Sequence, residues 1–275
     1  MINRSQLLFH DTFQPEAPYL TKILELASNA YAGKKEDISC QTGIPTGKQR
    51  GKVEPHIKYA TYMGLVSHKV EKGVYSLSLT KLGQEVYDQD KYLHERLTRW
   101  LCHYGITRFR DGAPQWEYLV HTGHTGFTQV NSSDWHLKRA NMIFGTSIDA
   151  EELFGVLKRS YNEGFFSEIN YVKWSDGIEY VEHLCNEEML FVYAYALLDS
   201  WERIFPEKRE ITITELTNEL GFGKVFNLCD DEIDNVLVDL ENQGIIKSNR
   251  LLFPKTIVAT SDSGSVIPLL YKFLL

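Results

Sequence analysis

Cysteine is scarce in this 275-residue chain: Cys40, Cys102, Cys185 and Cys229 lie tens of residues apart, with no Cys-x-x-Cys pair. That spacing excludes a zinc knuckle and a disulfide framework, and leaves four small side chains expected to be buried. Long apolar runs are missing as well. Met189 to Leu198 is an unbroken hydrophobic run of ten residues, about half of the ~20 that a membrane span needs. Met1 to His10 carries Arg4 but no apolar core followed by small residues, so no secretory signal is expected and the expected location is the cytoplasm. No phosphate-binding loop, nucleophile elbow or paired-histidine metalloprotease motif occurs. Gly221-Phe222-Gly223-Lys224 lacks both the spacing and the following Ser or Thr of a nucleotide-binding loop. An excess of basic residues is absent too: 29 Lys+Arg face 37 Asp+Glu, a net charge of −8. A surface that coats nucleic acid all over is thereby excluded, and any such site is local.

What is present is enough apolar residue, 43% of the chain, to bury the cores of one to three domains. The charge is unevenly spread. Gly33 to Lys81 holds nine basic and four acidic residues, a net +5, which leaves −13 for the rest of the chain. A basic face on an acidic body marks where a polyanion can dock.

The same window reads as a winged helix-turn-helix. Tyr19, Ile23, Leu26, Ala27 and Ala30 follow helical spacing within Pro18 to Ala30, and Glu36 to Thr42 makes a short helix ended by Gly43. Ile44 to Gly47 reads as a turn. Val53, Ile57, Ala60 and Gly64 repeat at intervals of four, three and four, predicting a third helix from about Val53 to Met63, with Pro55 tolerable in its first turn. Ser67 to Thr80 then alternates around Glu71-Lys72-Gly73, a hairpin signal that supplies the wing. In such a fold the start of the third helix enters the major groove. Lys48, Gln49, Arg50 and Lys52 sit there, Lys58 lies on the helix, and Lys69 and Lys72 on the wing could reach phosphate. A winged helix used only for protein docking is the alternative.

A second copy of the pattern lies near the C-terminus. Thr214 is expected to cap a short helix, and Asp230 to open a longer one carrying Ile233, Val236, Leu237 and Leu240 on one face. Gln243-Gly244-Ile245-Ile246 mirrors Met63-Gly64-Leu65-Val66. Strands at Ile245 to Ser248 and Leu251 to Ala259, turning at Asn249-Arg250, would be its wing. Glu207 to Thr256 carries a net −4, which suits scaffold or a protein-partner surface rather than phosphate. Between the copies, helices are expected over Tyr92 to Ile106, from Asp149 to about Tyr161 and from Asn186 to Phe205. Asp111 to Ser133, rich in Gly, Thr and His, is expected to be irregular, with His121 and His124 solvated. The expected fold is mainly α with small β wings (α+β), in three domains: 1–90 winged helix, 91–206 helical, and 207–275 winged-helix-like and acidic.

Phosphodiester hydrolysis needs carboxylates holding Mg²⁺ and a base that activates water. The candidates close in sequence are His10 with Asp11 and Glu16, Asp88 with Asp90, and Glu187 with Glu188. His10-Asp11 stands out because it couples a base to a carboxylate in an apolar setting, Leu7-Leu8-Phe9 before and Phe13 after. The structural alternative is that both residues tie the N-terminal segment down.

Phe9-His10-Asp11-Thr12-Phe13, Leu79-Thr80-Lys81-Leu82-Gly83, Asp90-Lys91-Tyr92-Leu93, Trp100-Leu101-Cys102-His103-Tyr104 and Trp116, in this order, resemble the SspB-like proteins of DNA phosphorothioation operons. Asp11 stands where that family more often has Glu, and Gln14 to Pro18 lacks an arginine expected there. The resemblance implies a bacterial DNA-modification and anti-phage defence role beside a cysteine desulfurase, an ATP-using sulfur-transfer protein and an ATPase. It further implies Mg²⁺-dependent nicking of one strand of double-stranded DNA, for which His10 and Asp11 are the candidate catalytic residues and Asp11 and Glu16 the candidate metal ligands. A non-catalytic DNA-binding subunit or transcriptional regulator, and a protein-only adaptor, are the competing classes.

Overall fold

A computed structural model describes residues 3–47, 51–127, 129–249 and 254–274. The chain is mainly α-helical with small antiparallel sheets. It divides into two compact units, 1–180 and 181–275. The expected boundary at 90/91 thus falls inside the first unit, and the long helix placed in the middle region belongs to the second.

In the first unit α1 (Arg4–Leu7) leads through an irregular segment to α2 (Ala17–Ser28), β1 (Ala32–Lys34), α3 (Lys35–Thr42), α4 (Val53–Tyr62), β2 (Val66–Glu71), β3 (Val74–Leu79) and α5 (Lys81–Asp90). α2, α3, α4 and the hairpin stand where the spacing puts them; α1 and α5 are additional to that pattern, and β1 does not show in it because three residues around Gly33 carry no alternation to read. The strands order β1-β3-β2. The hairpin turns on Lys72 (φ 51°) and Gly73 (φ 80°), two left-handed residues whose twist matches that of the strands. α2 packs on both α4 and β3, so Leu20, Ile23, Leu24, Ile57, Ala60 and Leu77 form one core.

The rest of this unit comprises α6 (Arg96–Thr107), α7 (Pro114–Glu117), β4 (Asn131–Ser132), α8 (Ser133–Phe144), α9 (Ala150–Asn162), β5 (Val172–Trp174) and β6 (Gly177–Tyr180). α6 starts later than its apolar stripe suggests, since Leu93 is left-handed (φ 58°) and Asp90 accepts the His94 and Glu95 N–H groups (2.9 Å each). The stretch expected to be irregular is partly helical: α7 runs into a π-turn at Tyr118–Thr122 whose Trp116, Leu119 and Val120 are fully buried. Apolar burial outweighs the Gly and Thr around it.

The second unit holds α10 (Leu190–Ile204), preceded by a 3₁₀ turn at Glu187–Met189, then β7 (Glu210–Thr212), a π-turn at Glu215–Glu219, α11 (Phe222–Phe226), α12 (Asp230–Asn242), β8 (Ile246–Asn249), β9 (Thr256–Ala259) and α13 (Ser263–Val266). Its sheet order, β7-β9-β8, is that of the first unit's N-terminal sheet. The mirrored glycines are equivalent in structure. Gly64 (φ 77°) and Gly244 (φ 71°) each end a helix in the left-handed region. Each carbonyl accepts a threonine hydroxyl, Thr80 and Thr260 respectively, at 2.6 Å. The cap assigned to Thr214 belongs to Thr212, whose hydroxyl accepts the Glu215 N–H (3.1 Å) while the Glu215 carboxylate accepts the Thr212 N–H (2.8 Å). Arg250 to Pro254 of the second wing lies largely outside the described residues. No helix among the described residues is long and apolar enough to cross a membrane.

Candidate nucleic-acid interface and its neighbouring cleft

Of the basic residues singled out in the sequence, Lys69 and Lys72 are exposed on the hairpin, Lys69 on β2 and Lys72 at the turn. Lys58 is half-buried on α4. Lys48, Gln49 and Arg50 lie outside the described residues. Lys52 has another task. Its ammonium pairs with Glu16 at 2.7 Å and lies over the rings of Tyr19 (4.9 Å) and Phe13 (5.5 Å). Behind it, His56 Nδ1–H donates to the Lys52 carbonyl (2.7 Å) while Nε2 accepts the Glu16 N–H (3.2 Å), which fixes the neutral tautomer. Burial lowers the His56 pKa to about 4. Glu16, a candidate metal ligand, is thereby committed to joining the starts of α2 and α4.

The segment after α1 lies against α4. Phe9 packs on Tyr59 and Tyr62, with ring centroids 5.0 and 4.9 Å apart, and the Tyr59 hydroxyl donates to the Phe13 carbonyl (2.8 Å). Asp11 (φ 47°) and Thr12 (φ 75°) are consecutive left-handed residues, a costly backbone for a non-glycine pair. Thr12 N–H donates to His10 Nδ1 (3.3 Å), and the Gln115 amide, which also donates to the Leu7 carbonyl, faces His10 Nε2 at 3.3 Å. His10 is 3% exposed. Burial, then the charge of Arg159, lower its pKa to about 4, so the ring is neutral at pH 7. His10 thus holds the turn after α1 through Thr12 and faces Gln115.

Asp11 borders two cavities. One, of about 240 Å³, opens toward the start of α4 and is lined by Ser5, Lys35, Thr46, Glu54 and Lys58. The other, of about 510 Å³, opens toward α9 and is lined by His10, Asp149, Glu151, Glu152 and Arg159. Arg159 pairs with Glu151 (2.8 Å), Arg4 pairs with Glu152, and Asp149 caps α9 by accepting the Glu152 N–H (2.9 Å). The carboxylates of this cleft thus already have partners.

The remaining sequence candidates lie at helix ends. Asp90 caps α6, Gln84 donates to Asp88 (2.9 Å), and Glu187 and Glu188 occupy the first turn after the Asn186 cap. The two loop histidines expected to be solvated, His121 and His124, are not. His103, His124 and His136 are buried and His121 is half-buried. His103 meets the Tyr161 hydroxyl (2.7 Å), His136 the Tyr118 hydroxyl (3.1 Å), and His121 donates to the Thr107 carbonyl (2.9 Å).

No protein-family profile and no curated protein matches the chain. Among solved structures, two crystal structures of SspB, one of them with a magnesium ion bound, match it with a TM-score of 0.73. Each is 17% identical and aligns over 97% of this chain and 86% of SspB. The fold is SspB-like. In this chain the residues of the motifs hold the fold together: Thr80 caps α5 by accepting the Gly83 N–H (2.8 Å), Leu93 supplies the carbonyl that Arg99 Nε–H reaches (2.5 Å), and Trp116 fills the core beside Phe9. Magnesium asks for several oxygen ligands around one point. Among the described residues no group of three or more His, Cys, Asp or Glu is placed to hold a metal ion. With Glu16 held by Lys52 and Glu151 and Glu152 held by arginines, the residues do not form a prepared magnesium site.

Proposed function

We propose that this protein is the DNA-binding component of an SspB-type phosphorothioation and anti-phage defence system, acting in the cytoplasm on double-stranded DNA. We read its first 90 residues as a winged helix and the module beginning near Glu207 as a winged-helix-like, acidic surface for protein partners. The observation that carries the reading is the SspB-like fold over 97% of the chain together with a basic stretch, Gly33 to Lys81, on an acidic protein. A sulfur-donating desulfurase, an ATP-using sulfur-transfer protein and an ATPase are its proposed partners.

Strand nicking that depends on Mg²⁺ is the finer form of the proposal, supported by SspB having been crystallised with magnesium and by His10 and Asp11 lying together at a cleft. The lack of a prepared ligand set among the described residues favours the second reading, a non-catalytic DNA-binding subunit. Supercoiled plasmid incubated with the full chain, with Mg²⁺ or with a chelator, separates the two. A relaxed open circle that appears only with Mg²⁺, and is lost in Asp11→Asn, supports nicking. Retarded plasmid that stays supercoiled supports the binding subunit, and plasmid neither retarded nor relaxed overturns both.

A further inference from the structure

The third helix of the N-terminal module is poorly placed to read a groove. Six of its ten residues, Val53, Pro55, His56, Ile57, Tyr59 and Ala60, are buried. α2 packs on it, and the segment carrying Phe9 and Phe13 covers it from another side. Of its half-buried residues, Glu54 is an acid that accepts from the Tyr75 hydroxyl and pairs with Lys35 (3.8 Å). An α-helix enters the major groove only with an open face of base-reading side chains.

The outer face of the adjoining sheet is open. Strand pairing sets Ser67 opposite Ser78, Lys69 opposite Ser76, and both Glu71 and Lys34 opposite Val74. In a pleated sheet, directly paired residues point the same way and alternate residues point the other way. Tyr75 and Leu77 turn inward to α2, so Ser67, Lys69, Ser76, Ser78 and Lys34 share the outward face with Glu71, Ala32 and Val74, and all but the half-buried Val74 are exposed. Lys72 stands at its tip. Among the described residues no carboxylate pairs with Lys34, Lys69 or Lys72. Glu71 is the one acid on the three strands.

We propose that this sheet face, and not the exposed side of α4, is the surface that meets double-stranded DNA, with Lys34, Lys69 and Lys72 on phosphates and the serine hydroxyls donating to phosphate oxygens. The inference rests on the DNA-binding reading above. Charge complementarity selects the occupant: short hydroxyls and three ammonium groups against the single carboxylate of Glu71 match a polyanionic backbone, and with only Ala32 and Val74 among them offer little apolar surface for a protein to bury. Contacts of this kind bind without reading sequence and weaken with salt.

The test uses the full chain and a labelled duplex. Lys34→Gln, Lys69→Gln and Lys72→Asn are combined, asparagine being chosen because it tolerates the left-handed backbone at 72. A second variant, Ser76→Glu, sets a carboxylate in the middle of the face without touching the core. Thermal melting confirms that both fold. The triple variant is expected to lose ten-fold or more in affinity, with a salt slope shallower by about two to three, one for each lost phosphate contact. Ser76→Glu is expected to lose binding at moderate salt. A photo-crosslinker placed at position 76 should capture the duplex, and one at position 58 on α4 should not. Folded variants that bind as the wild type does, or capture at 58 without capture at 76, overturn the proposal. Failure of the wild-type chain to bind duplex overturns the DNA-binding reading, and this inference with it.

Discussion

His10 and His56 are buried, neutral imidazoles, and each has a pKa of about 4 where a solvated histidine has 6.5. Between those values the unfolded chain binds protons that the folded chain refuses, so stability is full above pH 6.5 and falls as pH drops toward 4. Each ring accounts for a loss on the order of 3 kcal/mol across that window. Urea unfolding measured from pH 7 to pH 4 should show this decline. His56→Gln should lower stability at pH 7, since it removes a bond from each of two helix starts, and should flatten the decline by one proton's share. A profile with no fall above pH 4 contradicts the assignment. Lys52 carries a related expectation. Its replacement by Ala leaves Glu16 without its cation and uncovers Tyr19 and Phe13, so it should cost stability, read as a lower melting temperature, whether or not DNA binding changes.

At the level of elements, periodicity made α2, α4, the hairpin and α12 legible in the sequence, because each buries one face and its apolar residues recur at the matching interval. β1 and the α7 region were not legible. A three-residue strand has no period, and α7 is buried on several sides, so its residues alternate with nothing. The mirrored Gly-Leu-Val and Gly-Ile-Ile segments were visible as a repeat, but the bond that makes them equivalent joins residues 16 apart, Thr80 to Gly64 and Thr260 to Gly244. Thr80→Val should cost about 1–2 kcal/mol and more than Thr260→Val, because Thr80 also caps α5. The joint leaves no space for added atoms. A Cβ at Gly83 would collide with the Leu65 carbonyl oxygen, and one at Gly105 with that of Met63. Gly83→Ala and Gly105→Ala should each destabilise the unit by about 2 kcal/mol or more in chemical denaturation. The candidate site was legible only as residue types: the sequence shows His10, Asp11, Glu16 and Lys52 as chemistry, and long-range partners such as Gln115, Arg159 and His56 turn them into joints.

At the level of the whole molecule, the division after Tyr180 predicts where the chain tolerates cutting. A chain ending at Tyr180 should express folded, with cooperative thermal unfolding. One ending at Phe205 should not, because it keeps α10, whose Leu190 to Leu198 are buried within the second unit, without the elements that cover it. Equal solubility and cooperativity of the two truncations contradict the division. For an acidic protein that binds DNA through a local basic surface on its N-terminal module, the decisive measurement is the salt dependence of duplex affinity. The logarithm of the association constant should fall linearly with the logarithm of salt concentration, with a slope of several units reporting displaced counterions. Binding that is indifferent to salt, or no duplex binding even at low salt, contradicts it.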